Sequence, residues 1–154
     1  MDDFRVVVGT VDAFTGGMAG PFRILSVDNQ ASVTFSMKFV VTGPRYEVLS
    51  AESGEIALTR LEADANPYDL IIVDQKMPSL TGVELVAEIR RRGLPGEIMV
   101  ISAHLSADVR AAFEEMRVRA IFTKPFDLGA LRQAVERIAA LPLVATANAS
   151  QSAL

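Results

Sequence analysis

Asp74 ends the apolar run Leu70-Ile71-Ile72-Val73 and is followed by Met77-Pro78 and then Gly82, which places a carboxylate at the tip of a buried segment just ahead of a turn. Charged groups are seldom left at the edge of an apolar core without partners. Three polar residues stand at the ends of other apolar runs: Asp28, Ser102 and Lys124. Two acidic positions near one another favour a divalent cation, and Mg²⁺ suits a site with one or two carboxylates, a backbone carbonyl and several waters. A carboxylate can also act as a nucleophile toward phosphorus and form an aspartyl phosphate. Phosphoryl transfer then needs alignment and neutralisation of the equatorial oxygens, which the cation, the Lys124 ammonium and the Ser102 hydroxyl would supply. Singly, each residue has a bland explanation: a helix cap for Asp28, a turn former for Ser102, a solvated charge for Lys124. Their convergence is what points to chemistry.

The segments that must position these residues alternate between two patterns. Short runs rich in Val, Ile and Leu cover 22–27, 46–51, 69–73, 98–101 and 120–123, with the little alternation expected of parallel strands buried on both faces. Between them lie segments of helical period. Val33, Met37, Val40 and Val41 share one face of the first, and Leu128, Leu131, Val135 and Ile138 share one face of the last, with Asp127 as its N-cap. Five strands alternating with five helices imply an α/β, doubly wound parallel sheet with right-handed crossovers. In such sheets ligands sit at the carboxyl ends of the strands, near the switch in strand order. All four candidate residues fall on that edge.

Composition narrows the function classes. The chain of 154 residues suits one compact core, and half of its residues are hydrophobic. A formal net charge of -4 argues against a general polyanion binder, so no direct contact with nucleic acid is expected. There is no cysteine and a single histidine, which excludes a disulfide framework, a thiolate metal site and a His-based zinc site, and fits a reducing cytoplasm. The start Met1-Asp2-Asp3 lacks a basic secretory leader, and no run reaches the length of a membrane span. Residues 1–21, with Gly16-Gly17, Gly20 and Pro21, are expected to form an extension, 22–141 the domain, and 142–154 a flexible tail.

Four separated motifs, Val27-Asp28-Asn29, Asp74-Gln75-Lys76-Met77-Pro78 with Gly82, Ile101-Ser102-Ala103 and Lys124-Pro125-Phe126, resemble the receiver domain of bacterial two-component response regulators over residues 22 to about 140. The resemblance implies a flavodoxin-like sheet of strand order 2-1-3-4-5, as in stand-alone chemotaxis-type receivers. It implies that Asp74 accepts a phosphoryl group from a sensor histidine kinase or a histidine phosphotransfer protein. Mg²⁺ would be held by Asp28, Asn29, Asp74 and the Lys76 backbone carbonyl. Ser102 would be the switch hydroxyl, Lys124 the lysine that pairs with the phosphoryl group, and the Lys124-Pro125 bond would be cis.

The chain departs from the family at informative places. Receivers usually carry two acids after the first strand, whereas here Asp28 is followed by Asn29, whose neutral carbonyl weakens the electrostatic part of metal binding. Ile121 stands where many receivers place a switching Tyr or Phe, and Phe122 cannot replace it because neighbouring strand residues point to opposite faces. Lys76 and His104 occupy positions that, in the family, flank the phosphoryl group and tune its hydrolysis. Phe35 and Phe39, four apart and opposite Val33, Met37 and Val40, mark either a docking surface for the phosphodonor or a patch covered by the N-terminal extension.

Three functions compete on this reading. The first is a receiver phosphorylated on Asp74 that signals to a downstream protein through contacts, without a DNA-binding output segment of its own. The second is a degenerate receiver that binds its partner without phosphate; Asn29 and Ile121 favour it, and Asp74, Ser102 and Lys124 oppose it. The third, an aspartyl-phosphate phosphatase, needs a second Asp two residues after the nucleophile as acid and base, and this chain has Lys76 there. A flavodoxin-type cofactor site is unsupported because no Ser, Thr and Gly-rich phosphate loop follows the first strand. The Asn29→Asp variant is expected to bind Mg²⁺ about ten-fold more tightly, the equivalent of roughly 1.4 kcal/mol; unchanged binding by calorimetry would show that Asn29 does not limit the metal.

Overall fold

The computed structural model describes residues 20–30, 38, 41 and 43–140. Phe35 and Phe39, the helix expected around them, residues 1–19 of the extension and the tail from 142 lie outside the described residues. Within them the order is β1 (Phe22–Val27), β2 (Tyr46–Ala51), α1 (Gly54–Ala63), β3 (Leu70–Val73), α2 (Gly82–Arg91), β4 (Glu97–Ser102), α3 (Ala107–Glu115), β5 (Ala120–Thr123) and α4 (Leu128–Ala139). The five strands form one sheet in the order β2-β1-β3-β4-β5, and every pair is parallel. No helix among the described residues is long and apolar enough to cross a membrane.

Apolar residues with no strict alternation form these strands because both faces are covered. On one face Leu25, Val27, Ile71, Val73, Ile98 and Val100 cluster with Leu85, Val86 and Ile89 of α2 and with Phe113 of α3. On the other, Ile24, Leu70, Ile72, Met99 and Ile101 cluster with Leu131, Val135 and Ile138 of α4. Burying each such side chain contributes about 1.5–3 kcal/mol. Ile121 packs on the first face and Phe122 on the second, as the strand period requires.

The bounds of two strands and the buried face of one helix differ from the sequence expectation. β3 begins at Leu70; Asp69 before it still bonds both neighbouring strands through its backbone, donating to the Arg23 carbonyl at 2.8 Å and accepting the Glu97 N–H at 3.0 Å, while its carboxylate accepts the Arg23 N–H at 2.8 Å. β4 extends from Glu97 to Ser102, so Ser102 is the last residue of its strand. Leu128 does not join the apolar face of α4: it is the first residue of that helix and stays 48% exposed, since side chains lean toward a helix's N-terminus and no earlier turn lies there to pack against.

The helix starts are fixed by side chains that accept otherwise orphaned N–H groups. Ser53, Ser106 and Asp127 cap α1, α3 and α4 by accepting from Ile56, Val109 and Ala130. Thr81 and Glu84 form a reciprocal capping box on α2. Between β3 and α2 the chain doubles back so tightly that a Cβ on Gly82 would lie 2.6 Å from the Asp74 carbonyl oxygen and 2.8 Å from the Gln75 Cα. Only glycine allows that approach. The Gly82→Ala variant is expected to lose about 1–3 kcal/mol of stability by forcing two backbone segments apart, read as a lower urea midpoint; an unchanged midpoint would mean that the loop yields at no cost.

Candidate phosphoacceptor site

The backbone ladder runs one residue past the ends of β1, β3 and β5, and this sets the site. The Asp28 N–H donates to the Ala51 carbonyl at 3.1 Å, the Asp74 N–H to Val27 at 3.2 Å, and the Lys124 N–H to Ser102 at 2.8 Å. Asp28, Asp74, Ser102 and Lys124 therefore leave the sheet at one edge, next to the point where strand order reverses between β1 and β3. Asp28, Asp74 and Ser102 are buried, and their side chains converge.

Each oxygen of Asp74 has a separate partner. The Ser102 hydroxyl donates to Oδ1 at 2.9 Å, the Lys76 N–H donates to the same oxygen at 3.2 Å, and the Lys124 ammonium reaches Oδ2 at 3.3 Å. Lys124 also lies 3.9 Å from Asp28 Oδ2. Asp28 Oδ1 accepts the Gln30 N–H at 2.8 Å, whereas Oδ2 is buried with no hydrogen-bond partner. The Lys124-Pro125 peptide bond is cis.

Burial is the largest influence on Asp28 and pushes its carboxyl above the ordinary value of 3.8. The Gln30 N–H opposes the rise, the negative charge of Asp74 adds to it, and Lys124 opposes it. One ammonium thus serves two carboxylates. A cavity of about 470 Å³ opens over Asp74 and Lys124, lined also by Asn29, Gln30, Lys76, Met77, Pro78 and Ala103. Among the described residues no three His, Cys, Asp or Glu side chains come together as a metal cluster.

A family model for the response regulator receiver domain matches residues 24–136, most of the chain. The chain belongs to the response regulator receiver family. Among curated relatives, it is 32% identical over 118 residues to the transcriptional regulatory protein GlrR of Escherichia coli, covering 75% of this chain and 26% of that one. It is 26% identical to the sporulation initiation phosphotransferase F of Bacillus subtilis, covering 79% of this chain and 94% of that one. The chain spans about a fifth to a quarter of the first curated relatives it matches, 19% of a putative transcriptional regulator of Haloferax volcanii being the smallest share. Among solved structures, the chemotaxis protein CheY4 of Vibrio cholerae superposes with a TM-score of 0.67 at 24% identity, over 77% of this chain and 98% of that one. The response regulator TrrA of Thermotoga maritima, in complex with Mg²⁺ and BeF, superposes with a TM-score of 0.63 at 28% identity, over 75% and 97%.

In this receiver the structure brings together Asp28, Asp74, Ser102 and Lys124, and sets Asn29 and Lys76, both exposed, at the rim of their cavity. Lys76 and His104 also line an adjoining groove of about 300 Å³ with Gln75, Met77, Thr81, Ser106 and Val109. Ile121, partly buried, packs into the core and not into the cavity. Sequence reasoning missed Gln75, whose side chain ties the loop after Asp74 to α2; one local signal that could have flagged this region is the Thr81-x-x-Glu84 capping pattern.

The folded chain holds the Asp28 proton more tightly than the unfolded chain does, so stability falls as pH rises from near 3.8 through the raised folded value and stays lower above it. The Asp28→Asn variant removes that loss and is expected to be more stable than the parent at pH 7, with the gap closing toward pH 4. Thermal melts across that range check it, and equal melting at pH 7 would contradict it.

Proposed function

We propose that Asp74 accepts a phosphoryl group from the phosphohistidine of a sensor histidine kinase or a histidine phosphotransfer protein, and that the chain then signals through contacts with a downstream protein. One observation carries this reading: the Asp74 carboxylate sits at an open cavity with the Ser102 hydroxyl and the Lys124 ammonium already on its oxygens. In the transfer an Asp74 oxygen forms a bond to phosphorus as the phosphorus–nitrogen bond of the donor breaks. The electron pair leaves on the imidazole nitrogen, which takes a proton from solvent. Lys124 is placed to pair with the negative phosphoryl oxygens, and Ser102 to donate a hydrogen bond to one of them.

The residues present fit Mg²⁺. The orphaned Asp28 Oδ2, the Asp74 carboxylate, the Asn29 amide oxygen and the Lys76 backbone carbonyl make an all-oxygen donor set beside the cavity, and two carboxylates with neutral oxygens suit this ion. When bound, Mg²⁺ would neutralise charge on the transferring phosphoryl group. Asn29 makes the hold weaker than a second acid would. Lys76 and His104, at the rim, would tune the lifetime of the phosphoryl group. The hydrogen-bond reach of Ser102 and Lys124 to Asp74 weighs against a phosphate-independent module, and Lys76 in place of an acid weighs against turnover of small phosphate esters. A cytoplasmic location fits this role.

Incubation with acetyl phosphate and Mg²⁺ is expected to add one phosphoryl group by intact mass, and Asp74→Asn is expected to add none. Absence of the adduct with acetyl phosphate and with phosphorylated kinases alike would leave the phosphate-independent binding module as the function.

A further inference from the structure

A helix leaves its first N–H groups without intrahelical partners, and each needs an acceptor. In α2 the Glu84 N–H donates to Thr81 Oγ at 3.3 Å, from the residue just before the helix. The two preceding donors are satisfied differently. The Gly82 N–H donates to the Gln75 carbonyl at 3.1 Å, and the Val83 N–H donates to the Gln75 side-chain Oε1 at 2.8 Å. A single residue adjacent to Asp74 thus takes two of the first three donors of α2, across a span of eight positions to Val83. The same Gln75 carbonyl accepts the Met77 N–H at 3.1 Å, and the Lys76 N–H returns to Asp74 Oδ1 at 3.2 Å. The backbone between Asp74 and Met77 is held at both ends by these bonds, and Gly82 permits the close approach that makes them.

From this geometry we infer that Gln75 is a positioning residue: its side-chain amide clamps the loop after Asp74 to the start of α2 and so fixes the backbone of Lys76, whose carbonyl the proposed function places on Mg²⁺. The inference rests on that reading for its consequence, and on the hydrogen bonds alone for the clamp. Gln75 does not line the cavity at Asp74 and acts through the direction of its neighbour's peptide. A partly buried Gln that capped the helix for stability alone would leave metal affinity unchanged when replaced. A clamp acts on both.

The test compares Gln75→Met, which keeps length and loses the acceptor, with Gln75→Glu, which keeps an acceptor for the Val83 N–H and suits a helix N-terminus. In Gln75→Met the Val83 amide is expected to exchange with solvent faster. Mg²⁺ affinity is expected to fall roughly 3–10-fold, the scale of one lost hydrogen bond, while labelling by acetyl phosphate recovers at saturating Mg²⁺. In Gln75→Glu, exchange and affinity are expected to return to the parent values or better. Unchanged Val83 exchange in Gln75→Met, or a loss of stability without any change in Mg²⁺ affinity, would overturn the clamp as a positioning device. A parent protein that binds no Mg²⁺ and forms no adduct would instead overturn the phosphoacceptor reading, and Val83 exchange would then decide the clamp by itself.

Discussion

Two carboxylates, Asp28 and Asp74, share the single ammonium of Lys124 at the edge of an otherwise apolar sheet, and that uneven charge balance is the constraint around which the rest of the structure is arranged. A pair of unit charges about 4 Å apart interacts by roughly 4 kcal/mol at the effective dielectric of a protein surface. Lys124 is closer to Asp74 than to Asp28, which leaves one buried Asp28 oxygen without a hydrogen bond. An unsatisfied buried polar atom costs about 1–3 kcal/mol. A sheet selected for stability alone has no use for this arrangement, whereas a site that must receive a cation and a phosphoryl group does.

The fold holds the charges in place by backbone means. Parallel registers end β1 and β3 together at the Val27–Val73 pair and β4 and β5 together at the Ser102–Thr123 pair, and ladder hydrogen bonds that run one residue further carry Asp28, Asp74 and Lys124 to a common edge. Apolar side chains on both faces make the strands stiff, so the functional groups are mounted on rigid elements. The loop after Asp74 is anchored in the first core cluster by Met77, with Leu80 packed against it. It is held by Gly82, by the Thr81–Glu84 capping box and by Gln75, three devices that act through backbone N–H and C=O groups and leave the cavity open.

Much of this was legible in the residue order. The runs at 22–27, 46–51 and 120–123 coincide with strands, because a parallel strand buried on both faces is simply a short apolar run. Asp127 was legible as a cap for the same local reason. Helical period assigns Leu128 to the apolar face, but a first-turn residue leans past the end of its helix and stays exposed. Apolar neighbours assign Asp69 to a strand, yet its bond to the Arg23 N–H depends on a residue 46 positions away. Gln75 was invisible as a clamp, since nothing in a Gln beside an Asp announces where a loop will return.

The sequence by itself determined the family, the α/β class, the strand order that the family resemblance implied, and the four polar residues at the strand ends, because these follow from short-range pattern and motif. Tertiary structure alone decided which Asp74 oxygen faces Ser102 and which faces Lys124, that Asp28 keeps an unpartnered oxygen, and that Gln75 reaches α2. The reason is physical: period and propensity act over a few residues, whereas hydrogen bonds and charge sharing at this site join positions from 8 apart, Gln75 to Val83, to 96 apart, Asp28 to Lys124 (124 − 28), that only the packed sheet brings within reach.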